Sequence, residues 1–222
     1  NNLSLYTLID MYRNGDRRNA TLWDICNLFL GEYEKKVKVG EIVKPTLIKY
    51  QTILGYIARY LKSINRSDIL ITDVNQSFCE GLKVYMLGHL TNNTTFKYIK
   101  MFKKVLNFAV DSGYLIRNPC MVKMKREKLE YHPLTIEQIN AIRSKAIQND
   151  RLSKVRDLFV FQCYTGMAYI DMATLSRNDI KDDKIIKYRQ KTNVKSIIPL
   201  FDVTKEILQR YDYTLPVLSN QK

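Results

Sequence analysis

Glycine and proline are scarce, eight and five in 222 residues, about half the share that soluble proteins average. Long irregular segments and collagen-like order are excluded on that ground. Cysteine is rarer still, and Cys26, Cys79, Cys120 and Cys163 lie too far apart for a C-x-x-C pair. With only two histidines, neither a zinc site nor a disulfide scaffold is expected, and the thiols read as reduced and structural. No window approaches about 18 consecutive apolar residues, so no membrane span is expected. No charged-then-apolar leader opens the residues, which together with the thiols points to the cytoplasm. Also missing are G-x-x-x-x-G-K-[ST], H-E-x-x-H, G-x-S-x-G and any cluster of carboxylates on one face. Nucleotide, zinc and serine-hydrolase chemistries therefore lack their usual carriers, and neither cofactor nor metal is expected.

What the chain does have is positive charge. Lys and Arg number 36 against 22 acids, giving +14 and a pI near 9.5. Such an excess favours a polyanion, because each neutralised phosphate releases counterions. No basic amphipathic terminal helix suggests a membrane surface instead. The charge is also uneven. From Thr94 to Lys128 nine bases face Asp111 and Glu127 alone, so half the net charge sits in 35 residues. At 45% hydrophobic residues a packed core is expected, and the length allows one or two domains.

The first 120 residues read as helices. Thr21 to Lys36 carries Leu22, Ile25, Leu28 and Phe29 at helical spacing behind a capping Thr21. Pro45 to Lys62 opens with proline in the first turn and runs Leu47, Tyr50, Leu54, Ile57 and Leu61 along one stripe. Asn75 to Leu87 and Thr94 to Val110 complete four helices, the last stopped by Gly113; residues 3 to 12 suggest a further short one. Residues 121–133 have no sustained period, are basic and end at Pro133, which reads as a linker. Beyond it, Thr135 and Gln138 form a capping box, Leu152 to Tyr164 reads as an apolar central helix, and Tyr169 to Leu175 as a short one. The period then turns to strand through Ile185, Ile186 and Tyr188, breaks at Thr192-Asn193, and resumes through Ser196, Ile197 and Ile198: a β-hairpin. Asp202 is placed to cap a last helix reaching about Tyr211.

Two features carry chemistry. The helix from Thr94 sets Lys97, Lys100, Lys103, Lys104 and Asn107 opposite an apolar arc. A merely solvated face would intersperse acids among the lysines, so phosphate contact is the better reading. The hairpin holds Lys191 beside its turn; spacing alone makes it no more than an exposed turn lysine. His132, next to Pro133, reads as a linker residue and not as a base.

The order of these pieces resembles the tyrosine recombinases, the phage-integrase family. The first part is similar to the family's core-binding domain through Pro45-Thr-Leu-Ile-Lys-Tyr, Asn93-Thr-Thr-Phe-Lys-Tyr, Asn107-Phe-Ala-Val-Asp-Ser-Gly-Tyr and Arg117-Asn-Pro. The second resembles the opening of the catalytic domain through Leu134-Thr-Ile-Glu-Gln, Phe161-Gln-Cys-Tyr-Thr-Gly-Met, Asp171-Met-Ala-Thr-Leu, Lys191-Thr and Ile198-Pro-Leu. The wording is closest to integrases of mobile elements in Bacteroides-type bacteria.

The resemblance implies a mainly α chain: a four-helix, SAM-like core-binding domain (1–120), a basic linker (121–133), and the first part of an α+β catalytic domain with its hairpin (134–222). It implies double-stranded DNA as partner, self-association on that DNA, and a bacterial, nucleoid-associated setting. DNA contacts are expected from Thr46, Lys49, Lys97, Lys100, Lys103, Lys104, Lys123, Lys125 and Arg126. The implied reaction is attack by a tyrosine on a phosphodiester, giving a 3′-phosphotyrosyl link without metal or nucleotide. Arginines and a hairpin lysine stabilise the phosphorane charge in that scheme, and Lys191 matches the lysine. The sequence departs from the family pattern twice. The arginine expected after Thr-Gly-Met is Ala168, and no H-x-x-R box occurs within these residues. Tyr211 and Tyr213 are therefore poor candidates for the nucleophile, and these residues read as a DNA-binding portion without its cutting half. Arg156, on an apolar helix, is the expected substitute for the missing arginine; the plain alternative is a structural ion pair with Asp171 or Glu137, with Arg189 next in line.

Overall fold

The computed structural model describes residues 19–217. The expected helix at 3–12 lies outside them. The chain divides between Leu129 and Glu130 into two compact units.

The first unit is built from α1 (Leu22–Lys38), α2 (Lys44–Ser63), α3 (Gln76–Leu87) and α4 (Asn92–Asp111), with a short 3-10 turn at Ile71–Asp73. Their ends follow local chemistry. Thr21 and Asp24 form a reciprocal capping box, Pro45 occupies the first turn of α2, and Asn75 and Thr91 cap α3 and α4. Gly113, at φ 76°, takes the left-handed turn that releases the chain from α4. The apolar stripes meet in one core. Phe29, Tyr33 and Tyr50 lock α1 to α2 with ring centroids 4.4 to 4.8 Å apart, and Phe102 and Leu106 of α4 are fully buried. Burial of Leu and Ile side chains at about 1.5–3 kcal/mol each is what holds such a bundle. Cys26, Cys79 and Cys120 are buried free thiols; burial pushes Cys26 up to about 12.

Residues 121–133 form no helix or strand, yet the segment joins the first unit's packing. Cys120 and Val122 are buried in the helical core and Met124 packs against it. Burial alternates from Cys120 to Lys125, the signature of an extended chain with one face down.

The second unit contains α5 (Ile136–Ser144), α6 (Asp150–Thr165), α7 (Tyr169–Ala173), a 3-10 turn at Arg177–Asp179, β1 (Ile180–Lys181), β2 (Lys184–Tyr188), β3 (Lys195–Pro199) and α8 (Asp202–Arg210). The Thr135–Gln138 capping box forms. The expected hairpin has a third strand: β1, β2 and β3 make an antiparallel meander in that order, with Ile180 opposite Ile185 and Ile185 opposite Ile198. Two residues are too short for periodicity to reveal β1; Asp182 and Asp183, both at positive φ, make the tight return that creates it. The last helix also differs from expectation. Its N-cap is Phe201, with no side-chain bond, and Asp202 stands in the first turn, where its charge favours the helix dipole. Phe161, Ile185 and Leu208 form the centre of this core.

Candidate nucleic-acid interface

Helical geometry sorts the lysines of α4 into two groups. Lys97, Lys100 and Lys104 are exposed and fall at spacings of three and four, one stripe along the helix. Lys104 lies 5.5 Å from the Tyr33 ring, which steers its ammonium without removing it from solvent. Lys103 is different. It is half-buried, and its Nζ donates to the Val122 carbonyl at 2.7 Å. Sequence placed it with the other three as a phosphate ligand; its geometry makes it a tether.

That tether is one of a series. Residues 118–127 run antiparallel to α4 and are bonded to α3 and α4 along their length. Asn118 Nδ2 donates to the Lys103 carbonyl and to Asn107 Oδ1, at 2.9 and 2.6 Å. The Met121 amide donates to Gln76 Oε1 at 2.7 Å. Asn92 Nδ2 donates to the Lys125 carbonyl at 2.9 Å. Asn93 makes two bonds to one residue, Nδ2 to the Glu127 carbonyl and Oδ1 from the Glu127 amide, each 3.0 Å. Lys123, Lys125 and Arg126 stay exposed on this strap. The α4 stripe and the strap together thus present six exposed cations beside one another.

On α2, Lys49 is exposed and Thr46 half-buried, one turn apart. Thr52, Tyr56 and Arg59 lie within about a quarter turn of Lys49 around the helix. The Tyr56 ring lies 5.5 Å from Tyr98 of α4, so this side of α2 borders α4. Arg59 sits 4.0 Å above the Tyr56 ring while its Nε donates to the Gly55 carbonyl at 3.1 Å. Arg59 escaped the sequence reading because it lies outside the basic stretch, on a helix chosen for its apolar stripe.

In the second unit the turn after β2 carries Lys191, exposed. The Arg189 amide donates to the Val194 carbonyl at 2.9 Å, closing the loop, and Asn193 takes φ 52°. The buried Asp171 of α7 accepts the Gln190 amide at 2.8 Å. One carboxylate therefore fixes the loop that bears Lys191 to the segment that bears Ala168. Arg189 lines a small cleft with Met167 and Asp171.

Arg156 is elsewhere. Its Nε and Nη2 donate to Asp157 Oδ1 at 3.0 and 2.8 Å, Nη1 to the Lys145 carbonyl at 2.6 Å, and Nη2 also to Ser153 Oγ at 3.1 Å. Four bonds engage the guanidinium, whose side chain is 13% exposed. Asp157 Oδ2 in turn accepts Arg210 Nη1 and the Tyr211 hydroxyl, both at 2.8 Å. Burial works against ionising Asp157, but the bonds from Tyr211, Arg156 and Arg210 outweigh it and hold its carboxyl below the usual range. Burial and the bond to Asp157 push Tyr211 up to about 12. A polar cavity of about 620 Å³ borders this network, with Arg143 and Glu206 paired across its wall. Arg156 thus forms an ion pair, and its partner is neither Asp171 nor Glu137 but its own neighbour Asp157. Tyr211 is spent on the same carboxylate, and Tyr213 lies under Arg177 at 4.7 Å. Among the described residues no group of three or more His, Cys, Asp or Glu is placed to hold a metal, and no helix is long and apolar enough to cross a membrane.

Residues 21–126 match the phage integrase SAM-like domain, the unit that holds the α4 stripe and the strap. That match supports the tyrosine recombinase, or phage integrase, family for this chain. It is 29% identical over 187 residues to the XerC-like tyrosine recombinase of Caldanaerobacter subterraneus subsp. tengcongensis, covering 78% of this chain and 44% of the relative. It is 22% identical over 197 residues to the prophage integrase IntR of Escherichia coli K12, covering 82% of this chain and again 44% of the relative. The chain thus spans less than half the length of these recombinases. The fold is that of lambda integrase as seen in a tetramer bound to a Holliday junction, at TM-score 0.72 and 20% identity over 95% of this chain and 63% of that one. The Tn1549 transposon integrase in complex with a circular intermediate DNA gives TM-score 0.63 at 16% identity, over 88% of this chain and 69% of that one.

Proposed function

We propose that residues 19–217 form the duplex-binding portion of a site-specific recombinase that, in its intact form, breaks and rejoins DNA through a 3′-phosphotyrosyl link. The observation that carries this reading is the array of six exposed cations, Lys97, Lys100, Lys104, Lys123, Lys125 and Arg126, on the unit that matches the integrase SAM-like domain. The likeness to lambda and Tn1549 integrases, whose structures are complexes with DNA, supports it. Phosphate contacts of this kind position a protein without reading bases, and Thr46, Lys49 and Arg59 on α2 are the side chains available to meet base edges.

Lys191 is the proposed catalytic cation of this portion, donating a proton to the leaving 5′ oxygen while other cations stabilise the phosphorane. Self-association on DNA belongs to the same proposal. The second reading, a non-catalytic DNA-binding protein on this fold, rests on Ala168, which leaves no guanidinium at the family's position. Arg189, exposed and adjacent to Met167 and Asp171, is the side chain we assign to supply that charge in the enzyme.

Fluorescence anisotropy with a labelled duplex tests the binding. Six neutralised phosphates predict a fall of log K with log salt of slope about −5. A slope near zero overturns the reading. A suicide-substrate assay on the full gene product separates the two alternatives: covalent attachment of DNA, abolished by Lys191→Ala and reduced about a hundredfold or more by Arg189→Lys, favours the enzyme. Tight duplex binding with no adduct favours the other.

A further inference from the structure

The strap is the least expected feature of the first unit. Residues 118–127 have no repeating structure, yet several polar groups of their backbone are met by side-chain amides in place of a neighbouring strand. A carboxamide carries a separate donor and acceptor side by side, so it can donate to a carbonyl and accept from an N–H of the same residue. Asn93 does both to Glu127, and Asn92 and Gln76 each supply half of such a pair, to Lys125 and Met121. Beneath these bonds Val122 is buried and Met124 half-buried. The alternation that turns Val122 and Met124 inward turns Lys123 and Lys125 outward. None of the three strap cations forms an ion pair with a carboxylate among the described residues.

We propose that Asn92 and Asn93 are positioning residues that hold Lys123, Lys125 and Arg126 in place on the helical unit before DNA arrives, so that the strap is a preformed part of the duplex-binding surface. The inference rests on the DNA reading above and deepens it. A free basic linker of the same composition would carry the same charge and release the same counterions. It would also lose its conformational freedom at the moment of binding, and that loss weakens affinity. A docked strap has already lost it during folding. Affinity and salt slope therefore come apart: releasing the strap lowers the first and leaves the second alone, whereas removing its charges lowers both.

The test uses the full chain and its Asn92→Ala/Asn93→Ala variant, with Lys123→Ala/Lys125→Ala as the charge control. Three quantities are read: amide hydrogen exchange at Glu127, duplex affinity by anisotropy, and the salt slope. The amide variant should lose protection at Glu127, bind about tenfold more weakly, and keep the wild-type slope. The charge control should keep Glu127 protected and lose about 1.8 from the slope. Asn93→Ala alone, which leaves the α4 cap at Thr91 and the Asn92 bond in place, gives the same pattern in smaller measure should the double variant prove too unstable. Unchanged exchange at Glu127 overturns the docking, and unchanged affinity with the strap released overturns its role. If wild-type protein fails to bind any duplex, the DNA reading falls and the strap's role with it, while Glu127 exchange still reports whether the amides hold the backbone.

Discussion

Replacing Asp157 with asparagine removes one negative charge and keeps the shape, at a point where three side chains converge. The aspartate side chain is 5% exposed and accepts bonds from Arg156, Arg210 and Tyr211. The Arg156 bonds are charge-assisted and nearly buried, which puts them at about 1.5–3 kcal/mol. The Tyr211 bond adds about 1 kcal/mol. Arg210 is 45% exposed, so solvent screening leaves it under about 1 kcal/mol. The amide also turns an N–H toward either Arg156 or the Arg210–Tyr211 side, setting donor against donor. A loss of about 3 kcal/mol follows, within the range for breaking one side of a buried pair. For a unit of this size that lowers the melting point by roughly 12 °C or more.

The assay must see the second unit. The one tryptophan, Trp23, lies in α1, so its fluorescence reports the first unit, and exchange at amides of α6 and α8 is the better probe. The acid limb supplies an independent check. Because the folded carboxyl sits below its unfolded value of about 3.9, its contribution is complete above that pH and is lost as pH falls through the folded pKa. Asp157→Asn should flatten this limb, and Tyr211→Phe, which removes one of the bonds that lower the carboxyl, should cost about 1 kcal/mol and make the limb shallower without abolishing it. A variant within 0.5 kcal/mol of wild type, or one whose acid limb is as steep as wild type's, refutes the network as a source of stability.

Other perturbations have defined outcomes. Lys97→Ala/Lys100→Ala/Lys104→Ala should reduce the salt slope by about 2.7 and weaken all duplex sequences alike; a sequence-dependent loss in competition binding would assign base contacts to α4. Gly81→Ala should destabilise by about 1–3 kcal/mol in urea unfolding, because its methyl would overlap the Tyr60 hydroxyl, a residue held between Phe78 and Tyr85 at 5.2 and 5.6 Å. Gly55→Ala, with open space at its Cβ, should stabilise by up to about 1 kcal/mol. Arg156→Lys should lower second-unit stability by about 1–2 kcal/mol, since an ammonium cannot span Asp157, Ser153 and the Lys145 carbonyl together; unchanged melting would return Arg156 to the list of free cations.

Much of the fold was legible in the sequence because its signals are local. Thr21, and Thr135 with Gln138, each announce a helix start within four residues, and the stripes of α1 and α2 repeat often enough to fix a face. The elements that were missed lack either property. β1 is two residues long, and its pairing is set by the turn at Asp182 and Asp183, whose positive φ leaves no hydrophobic period to read. Asp202 looked like a cap because capping depends on residue type, whereas the observed N-cap, Phe201, is fixed by where the chain leaves β3.

The candidate site divides along the same line. Charge density picked out α4 and the strap, because net charge needs no geometry. Which cations face solvent did require it, and Lys103 shows why: it differs from Lys104 by one position and 100° of helix, enough to turn its ammonium onto the Val122 carbonyl. The partner of Arg156 is hidden for a related reason. Neighbours at i and i+1 do not ordinarily face each other on a helix, so spacing does not point to Asp157 as its partner; Arg210 and Tyr211, more than fifty residues away in sequence, approach the same carboxylate and make that neighbour the right one. Asn92 and Asn93 carry no charge and no apolar period, so nothing in composition or spacing singles them out. Their role exists only between α4 and a segment 33 and 34 residues further on. A basic stretch read as a linker becomes a surface of fixed geometry through those two amides, and the cations that sequence could count acquire positions from residues it could not.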